Sequence, residues 1–214
     1  MSRLVSALRR HGPVHLSSVA LSRALSLFYR RKVLVMYREP LERILRLPPR
    51  LDAGWSYRCE EFSWEQARAF RDAPPDVLAL LGSYLSVDIP GQRLLLATVN
   101  GNVAGWCVVY VGTYDWPLSE TETTLRLGAT DAIFISAQTL PAYRGRHINR
   151  ALMGETARVA TSLGATHLWA WHEHWNEAPR KNMLRVGMTC VGEHEREWVC
   201  GIRRPARIAM APDA

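Results

Sequence analysis

From Thr139 to Leu152 the chain reads Thr-Leu-Pro-Ala-Tyr-Arg-Gly-Arg-His-Ile-Asn-Arg-Ala-Leu. The guanidinium groups of Arg144 and Arg146 flank Gly145. Paired N–H donors of this kind match phosphate oxygens, and glycine lets the backbone turn close to an anion. An apolar run, Ala132–Ala137, precedes the stretch, and Ile148, Leu152, Val159 and Leu163 recur after it at helical spacing. So a strand ends, a basic turn follows and a helix begins. The unpaired N–H groups and positive dipole end of such a helix form an anion site. The expected donors are the N–H groups of His147, Ile148, Asn149 and Arg150.

A second group of residues could move protons. His172, Glu173 and His174 lie near the end of an apolar strand, and Asn176 follows. Strand alternation predicts His172 and His174 on one face and Glu173 on the other. Imidazole works near neutral pH, so either histidine is a candidate general base. Lining a polar groove or bonding within the core is the competing use. Asp131 and Glu173 are weaker candidates for the base. His172-x-His174 has no third ligand, and no metal is expected. Trp169, Trp171 and Trp175 are expected to pack on the opposite face.

The Thr139–Leu152 stretch resembles the acyl-CoA-binding loop of the GNAT superfamily of N-acetyltransferases, usually Val-x-Pro-x-Tyr-Arg-Gly-x-Gly-x-Gly-x-x-Leu. Pro141, Tyr143, Arg144, Gly145 and Leu152 are in register. His147 and Asn149 stand where the second and third glycines usually are. Asn176, Arg185, Gly187 and Met188 match a second pattern of that family. The resemblance covers about residues 55–200.

It implies an α/β (α+β) fold, with a mixed, mostly antiparallel central sheet flanked by helices on both faces. It also implies that two central strands splay around a pantetheine arm. Backbone groups of Ser136–Leu140, among them Gln138, Thr139 and Leu140, would pair with that arm and polarise the thioester carbonyl. Arg144, Gly145, Arg146, His147, Ile148, Asn149 and Arg150 would hold the phosphates, and Asn176 the pantetheine. Acetyl-CoA is then the co-substrate, and the acceptor is a small-molecule or protein amine. A tyrosine that serves as general acid in many relatives is replaced by Met183, which donates no proton. A non-catalytic module that binds CoA or a partner is the alternative reading.

The bulk properties fit one folded domain with an extension. The chain has 214 residues, 48% hydrophobic and 22% charged. No apolar run reaches the length of a membrane span, and Arg3, Arg9, Arg10 and His11 interrupt any signal-peptide pattern. Cys59, Cys107, Cys190 and Cys200 form no C-x-x-C pair and read as reduced, mostly buried thiols. The expected location is the cytoplasm, with the extension a potential membrane-peripheral anchor. Residues 1–50 carry eleven basic and two acidic side chains, +9 of a total of +7, which leaves −2 for the rest. That asymmetry suggests an acidic partner for the extension: a membrane, a carrier protein or nucleic acid. The bland alternative, solvated arginines on packed helices, is preferred, and no nucleic-acid partner is expected.

The extension, residues 1–53, reads as two helices broken near Gly12-Pro13, then a strand at Lys32–Arg38. Residues 54–214 read as the acyltransferase domain. Its expected order is strand Trp55–Phe62, helices Trp64–Arg71 and Asp76–Val87, a hairpin Arg93–Val111 turning at Asn100-Gly101, and a polar loop at 112–129. Strand Asp131–Thr139, helix Asn149–Leu163, strand Thr166–Trp175, helix Ala178–Val186 and strands at Cys190–His194 and Trp198–Ile202 follow. The last edge could pair with a second copy to give a homodimer.

Overall fold

The chain is described by a computed structural model at residues 28–46, 51, 54–63, 65–66, 89 and 91–211. Strand β1 (Tyr29–Pro40) leads through a short helix α1 (Leu41–Leu45) to β2 (Tyr57–Ser63), β3 (Arg93–Val99) and β4 (Asn102–Val111). Asn100 and Gly101 join β3 to β4 with φ of 52° and 79°, the positive angles that this dipeptide predicts. Then come β5 (Tyr114–Leu118), β6 (Thr123–Leu127), β7 (Asp131–Thr139), α2 (Ile148–Ser162), β8 (His167–Glu173), α3 (Glu177–Arg185), β9 (Thr189–Val199), β10 (Ile202–Arg203) and β11 (Arg207–Met210). The expected helices Trp64–Arg71 and Asp76–Val87, and those before Phe28, fall almost wholly outside the described residues.

One mixed sheet has the order β10-β9-β1-β8-β7-β4-β3-β2, with β11 also on β9. Only β7 and β8 run parallel; the other described pairs are antiparallel. On one face, Ile148, Leu152, Met153, Ala157 and Ala160 of α2 and Met183 of α3 pack on Tyr37, Leu95, Val109 and Phe134. Burying each large apolar side chain there contributes about 1.5–3 kcal/mol. On the other face, the hairpin β5–β6 lays Trp116, Leu118, Leu125 and Leu127 against Leu34, Met36, Ile133 and Trp169.

Two elements differ from the sequence expectation. Residues 112–129 are not simply a polar loop: Trp116 and Leu118 alternate inward on one strand, Leu125 and Leu127 on the other. The last strands are also continuous where a break was expected, because His194 and Arg196 of β9 are buried rather than solvated, at 3% and 9% exposure.

The strand expected in the extension, β1, lies inside the sheet between β8 and β9. The 53/54 division therefore leaves an interior strand with the extension. Several of the basic charges counted there are matched within the fold. Arg31 pairs with Glu195 (2.8 Å), Lys32 with Glu173, Arg38 with Asp131 (3.3 Å) and Arg43 with Glu39 (3.0 Å). Arg3, Arg9, Arg10 and Arg23 lie outside the described residues. The cysteines are less buried than expected: Cys107 is buried, Cys59 half-buried, Cys190 and Cys200 exposed. Burial pushes the Cys59 thiol up to about 12.

Arg196 ties the hairpin tip to the sheet. Its guanidinium donates to the carbonyls of Thr121 (2.8 Å), Glu122 (2.8 Å) and Arg204 (3.0 Å). Charge-assisted bonds of this kind contribute about 1.5–3 kcal/mol each. Beside it, Thr123 Oγ1 meets His194 Nδ1 at 3.0 Å.

Burial holds the His194 imidazole below its ordinary range. The unfolded chain then takes up a proton that the folded chain refuses, so stability falls as pH drops below about 6.5. The low-held carboxylates Glu122, bonded to Arg203, and Glu195, bonded to Arg31, act in a lower window. We expect His194→Gln to flatten the fall in unfolding free energy between about pH 7.5 and about pH 5.5. Parallel urea titrations of both proteins test this, and an unchanged slope would refute it.

Candidate active site

Strands β7 and β8 pair over three positions, Asp131 with His167, Ala132 with Leu168 and Ile133 with Trp169, and then part. The outer edges of both remain paired. β7 follows β4 as far as Thr139, and β8 follows β1 as far as Glu173. A bulge adds to the divergence: Trp106 faces Gln138 and Val108 faces Ile135, so Ser136 and Ala137 together oppose Cys107. Ser136 has φ of 53° there. Gly105 makes room for the strand, since a Cβ on it would sit 2.5 Å from the Gln138 carbonyl oxygen.

Two cavities meet at this gap and share Ala137, Gln138, Asn149, Asn176 and Pro179. The one on the helix side holds about 650 Å³. Arg144, Arg150, Lys181 and Arg185 line it, and no carboxylate of the described residues does. Asn149 Oδ1 and Arg150 Nε are buried without a hydrogen-bond partner, a cost of about 1–3 kcal/mol each unless a guest or water meets them. The second cavity, about 530 Å³, extends toward the hairpin, where Trp116, Ser119 and Glu120 line it opposite Trp171 and Glu173 of β8.

The residues of the basic turn divide. Arg144 lines the helix-side cavity, its Nε donating to the Thr139 carbonyl at 3.3 Å. Arg146 does not line it; its guanidinium lies 5.0 Å from the centre of the Trp55 ring. Trp55 also meets Tyr143 edge-on at 5.9 Å, so it braces the turn from behind. Gly145 and His147 both have left-handed backbones, φ 77° and 63°. Glycine is favoured at the His147 position for that reason. Asn149, already inside α2, is not among the positive-φ residues. Ile148 is buried and anchors the helix start.

Gln138 and Thr139 line the helix-side cavity. Leu140 is turned away: its N–H donates to the Ala104 carbonyl at 2.9 Å, so it is no free backbone donor. Asn176 stands at the N-cap of α3, yet its side chain makes no capping bond. It faces the junction of both cavities instead.

The two histidines do not form the expected pair. His174 is exposed in the turn after β8, where strand alternation has ended, and lines neither cavity. His172 lines the hairpin-side cavity but has both nitrogens engaged. Nδ1 is 2.8 Å from the Glu173 carbonyl, which only accepts, so Nδ1 carries the proton. Nε2 then accepts from Tyr37 Oη at 3.2 Å. Both ring nitrogens of His172 are thus engaged in the wall of the hairpin-side cavity. Asp131 is bound at the far end of β7 by Arg38 and the Gly128 N–H. Trp175 is 64% exposed in the turn rather than packed with Trp169.

Lys181 and Arg185 were not among the expected phosphate-binding residues. Their spacing on α3, one helical turn apart, is the signal that places both on the cavity side. Among the described residues, no group of three or more His, Cys, Asp or Glu could hold a metal, and no helix is long and apolar enough to cross a membrane.

A family model for the GNAT acetyltransferases matches residues 55–188. The chain belongs to the GNAT acetyltransferase family. No curated protein matches it. A conserved protein of unknown function from Staphylococcus epidermidis ATCC 12228 has a similar fold, with a TM-score of 0.52 at 16% identity over 84% of this chain and 65% of its own. A GCN5-related N-acetyltransferase from Kribbella flavida scores 0.50 at 15% identity over 82% and 60%. This chain thus spans less than two thirds of either structure's length. Within the GNAT fold, β1 is notable because it completes the sheet from outside the matched residues.

The left-handed turn gives a stability test that needs no ligand. A residue with a Cβ in this conformation costs about 1–2 kcal/mol relative to glycine. His147→Gly should therefore be more stable than His147→Ala by about 1 kcal/mol in urea denaturation. Equal stabilities would show that the turn relaxes to another conformation.

Proposed function

We propose that this GNAT protein transfers an acyl group, acetyl in the simplest case, from acyl-CoA to a primary amine. The reaction is direct attack within a ternary complex. The observation that supports this most is the meeting, at the splayed strands, of an arginine- and lysine-lined cavity without acids among its described residues and a second cavity of mixed polar and apolar lining.

Coenzyme A carries a pyrophosphate and a third phosphate, and the helix-side cavity has the charge to receive them. Arg144, Arg150, Lys181 and Arg185 make no ion pair with any described residue. The start of α2 adds backbone donors and the positive dipole end. The unpaired edge of β7 beyond Ile133 can pair with the amides of the pantetheine arm, as a strand edge pairs with an extended peptide. Asn176 and Asn149 stand at the neck, where the thioester passes from one cavity to the other.

Holding both substrates at that neck makes the attack effectively unimolecular. A backbone N–H at the Ser136–Ala137 bulge is the donor for the thioester oxygen as its charge develops. His172 positions this wall through Tyr37 and Glu173 rather than taking the proton. Met183, buried beside the gap, cannot protonate the leaving sulfur, so that proton comes from solvent or from the attacking nitrogen.

Acetyl-CoA should raise the melting temperature of the protein in a concentration-dependent way, because a ligand of the folded state alone stabilises it. ATP at equal concentration should do much less. Arg150→Glu should weaken acetyl-CoA binding by about 1.5–3 kcal/mol, roughly ten- to a hundredfold, and wild-type affinity should fall with added salt. Isothermal titration reads both effects. Equal binding by the wild type and Arg150→Glu would remove the phosphate role, and binding without acyl transfer to any amine would favour a non-catalytic module.

A further inference from the structure

We propose that the side chain of His147 is itself a phosphate ligand, and that it takes up a proton as the polyphosphate of coenzyme A binds. The inference rests on the acyl-CoA reading of the helix-side cavity and gives a role to a side chain that stands in a glycine position.

The place is the mouth of α2. His147 is the N-cap residue, and its carbonyl accepts the first bond of the helix, from Ala151 N–H at 3.0 Å. The N–H groups of Ile148, Asn149 and Arg150 therefore have no partner within the helix. An anion seated on them lies beside the residue that precedes them. His147 lines the cavity and is exposed. Its side chain makes no capping bond and no hydrogen bond with a described residue, so no bond holds the ring away from a guest. Its backbone, at φ 63°, is strained for a residue with a Cβ. Strain of this kind clusters at ligand clamps and active sites.

The charges around the ring have one sign among the described residues. Arg144 faces the cavity from the turn, Arg150 from α2, and Lys181 and Arg185 from α3. Arg146, next in the chain, is turned to Trp55. The acids of the packed elements are engaged elsewhere. Glu155 of α2 pairs with Arg158, Glu177 of α3 with Arg180 (3.2 Å), and Asp131 at the far end of β7 with Arg38 (3.3 Å). Lysine, arginine and tyrosine side chains ordinarily keep one charge state between about pH 6 and about pH 8, whereas imidazole changes its own. Of the described lining residues, His147 is the one of that kind.

A polyanion beside an imidazole favours its charged form. The imidazolium then offers two N–H donors to phosphate oxygens, where the neutral ring offers one. The complex holds more protons than its separated parts, so affinity rises as pH falls through the imidazole range and weakens as pH rises through it. The proton comes from solvent on binding and returns there on release. Attack by the amine needs the opposite, a nitrogen freed of its proton at higher pH. Donor binding and turnover thus respond to pH in opposite directions.

The probe is 3′-dephospho-CoA, because the 3′-phosphate of CoA itself titrates near about pH 6. Isothermal titration of the full chain at about pH 6, 7 and 8, at constant ionic strength, gives the affinity. Two phosphate-free buffers of different ionisation enthalpy give the proton count. His147→Asn removes the titration and keeps a residue that tolerates the left-handed backbone; His147→Gly removes the side chain. We expect the wild type to bind about threefold tighter, or more, at the lowest pH than at the highest, with a heat that depends on the buffer. Both variants should lose both dependences. Where affinity needs the 3′-phosphate, CoA serves as the probe, and the difference between wild type and His147→Asn at each pH removes the ligand's own titration. A wild-type affinity that is flat with pH overturns the proposal, as does the same slope in both variants. Tighter binding by His147→Gly than by the wild type at the lowest pH also overturns it, since the ring then obstructs the loop. In each of these cases the acyl-CoA reading stands, because the probe still binds. No binding of either ligand by the folded wild type removes that reading and the proposal with it.

Discussion

The site depends on hydrogen bonds that two strands do not make with each other. After Ile133 and Trp169, β7 and β8 part, because each is committed to a partner on its far side. β8 is paired with β1 from Leu34 to Pro40, and β7 stays with β4 beyond its bulge. Neither strand can rotate back toward the other without giving up a ladder. Backbone groups facing the gap then need a guest or water, since buried unpaired N–H and C=O groups are costly. An extended, strand-like guest would satisfy that need along its length. The cleft is thus a product of sheet geometry, and side chains only decide what enters from each end.

What enters is divided by charge. Among the described residues, the helix end presents four lysine and arginine side chains and no acid, and the hairpin end two acids and neither lysine nor arginine. Among the described lining residues, the charge at the helix end favours an anion and that at the hairpin end a cation. They also disfavour entry from the wrong end, which is specificity by repulsion as much as by attraction.

The sequence made the helix-side cavity legible and the hairpin-side cavity nearly invisible. Arg144, Gly145, Asn149, Arg150 and Asn176 stand in local patterns, and local patterns carry over to the fold. The place of Arg146 against Trp55, about ninety residues away in the chain, lies outside any local rule. His172 was correctly placed on a strand near the cleft, but its chemistry is set by Tyr37 on a strand 135 positions earlier. The hairpin escaped notice for a different reason. Its alternation is short, with Trp116 and Leu118 answered by Leu125 and Leu127, and the polar tip between them reads as loop. Periodicity over two residues per strand is too weak a signal to separate a strand from a turn.

The same limit explains the treatment of β1. Its charges looked like a basic surface because their partners are distant: Glu195 for Arg31, Glu173 for Lys32 and Asp131 for Arg38. Inside the sheet these pairs are partly shielded, so they hold register more firmly than exposed pairs would. Two of the contacts reach the cleft. Lys32 neutralises Glu173 on the wall, and Tyr37 fixes the imidazole of His172. Without β1, Glu173 would carry an unmatched charge into the hairpin-side cavity, and the Nε2 lone pair of His172 would be released. The family-matched span, residues 55–188, contains neither Lys32 nor Tyr37. β1, outside that span, lies inside the sheet between β8 and β9 and sets the charge and the hydrogen-bonding state of the hairpin-side wall.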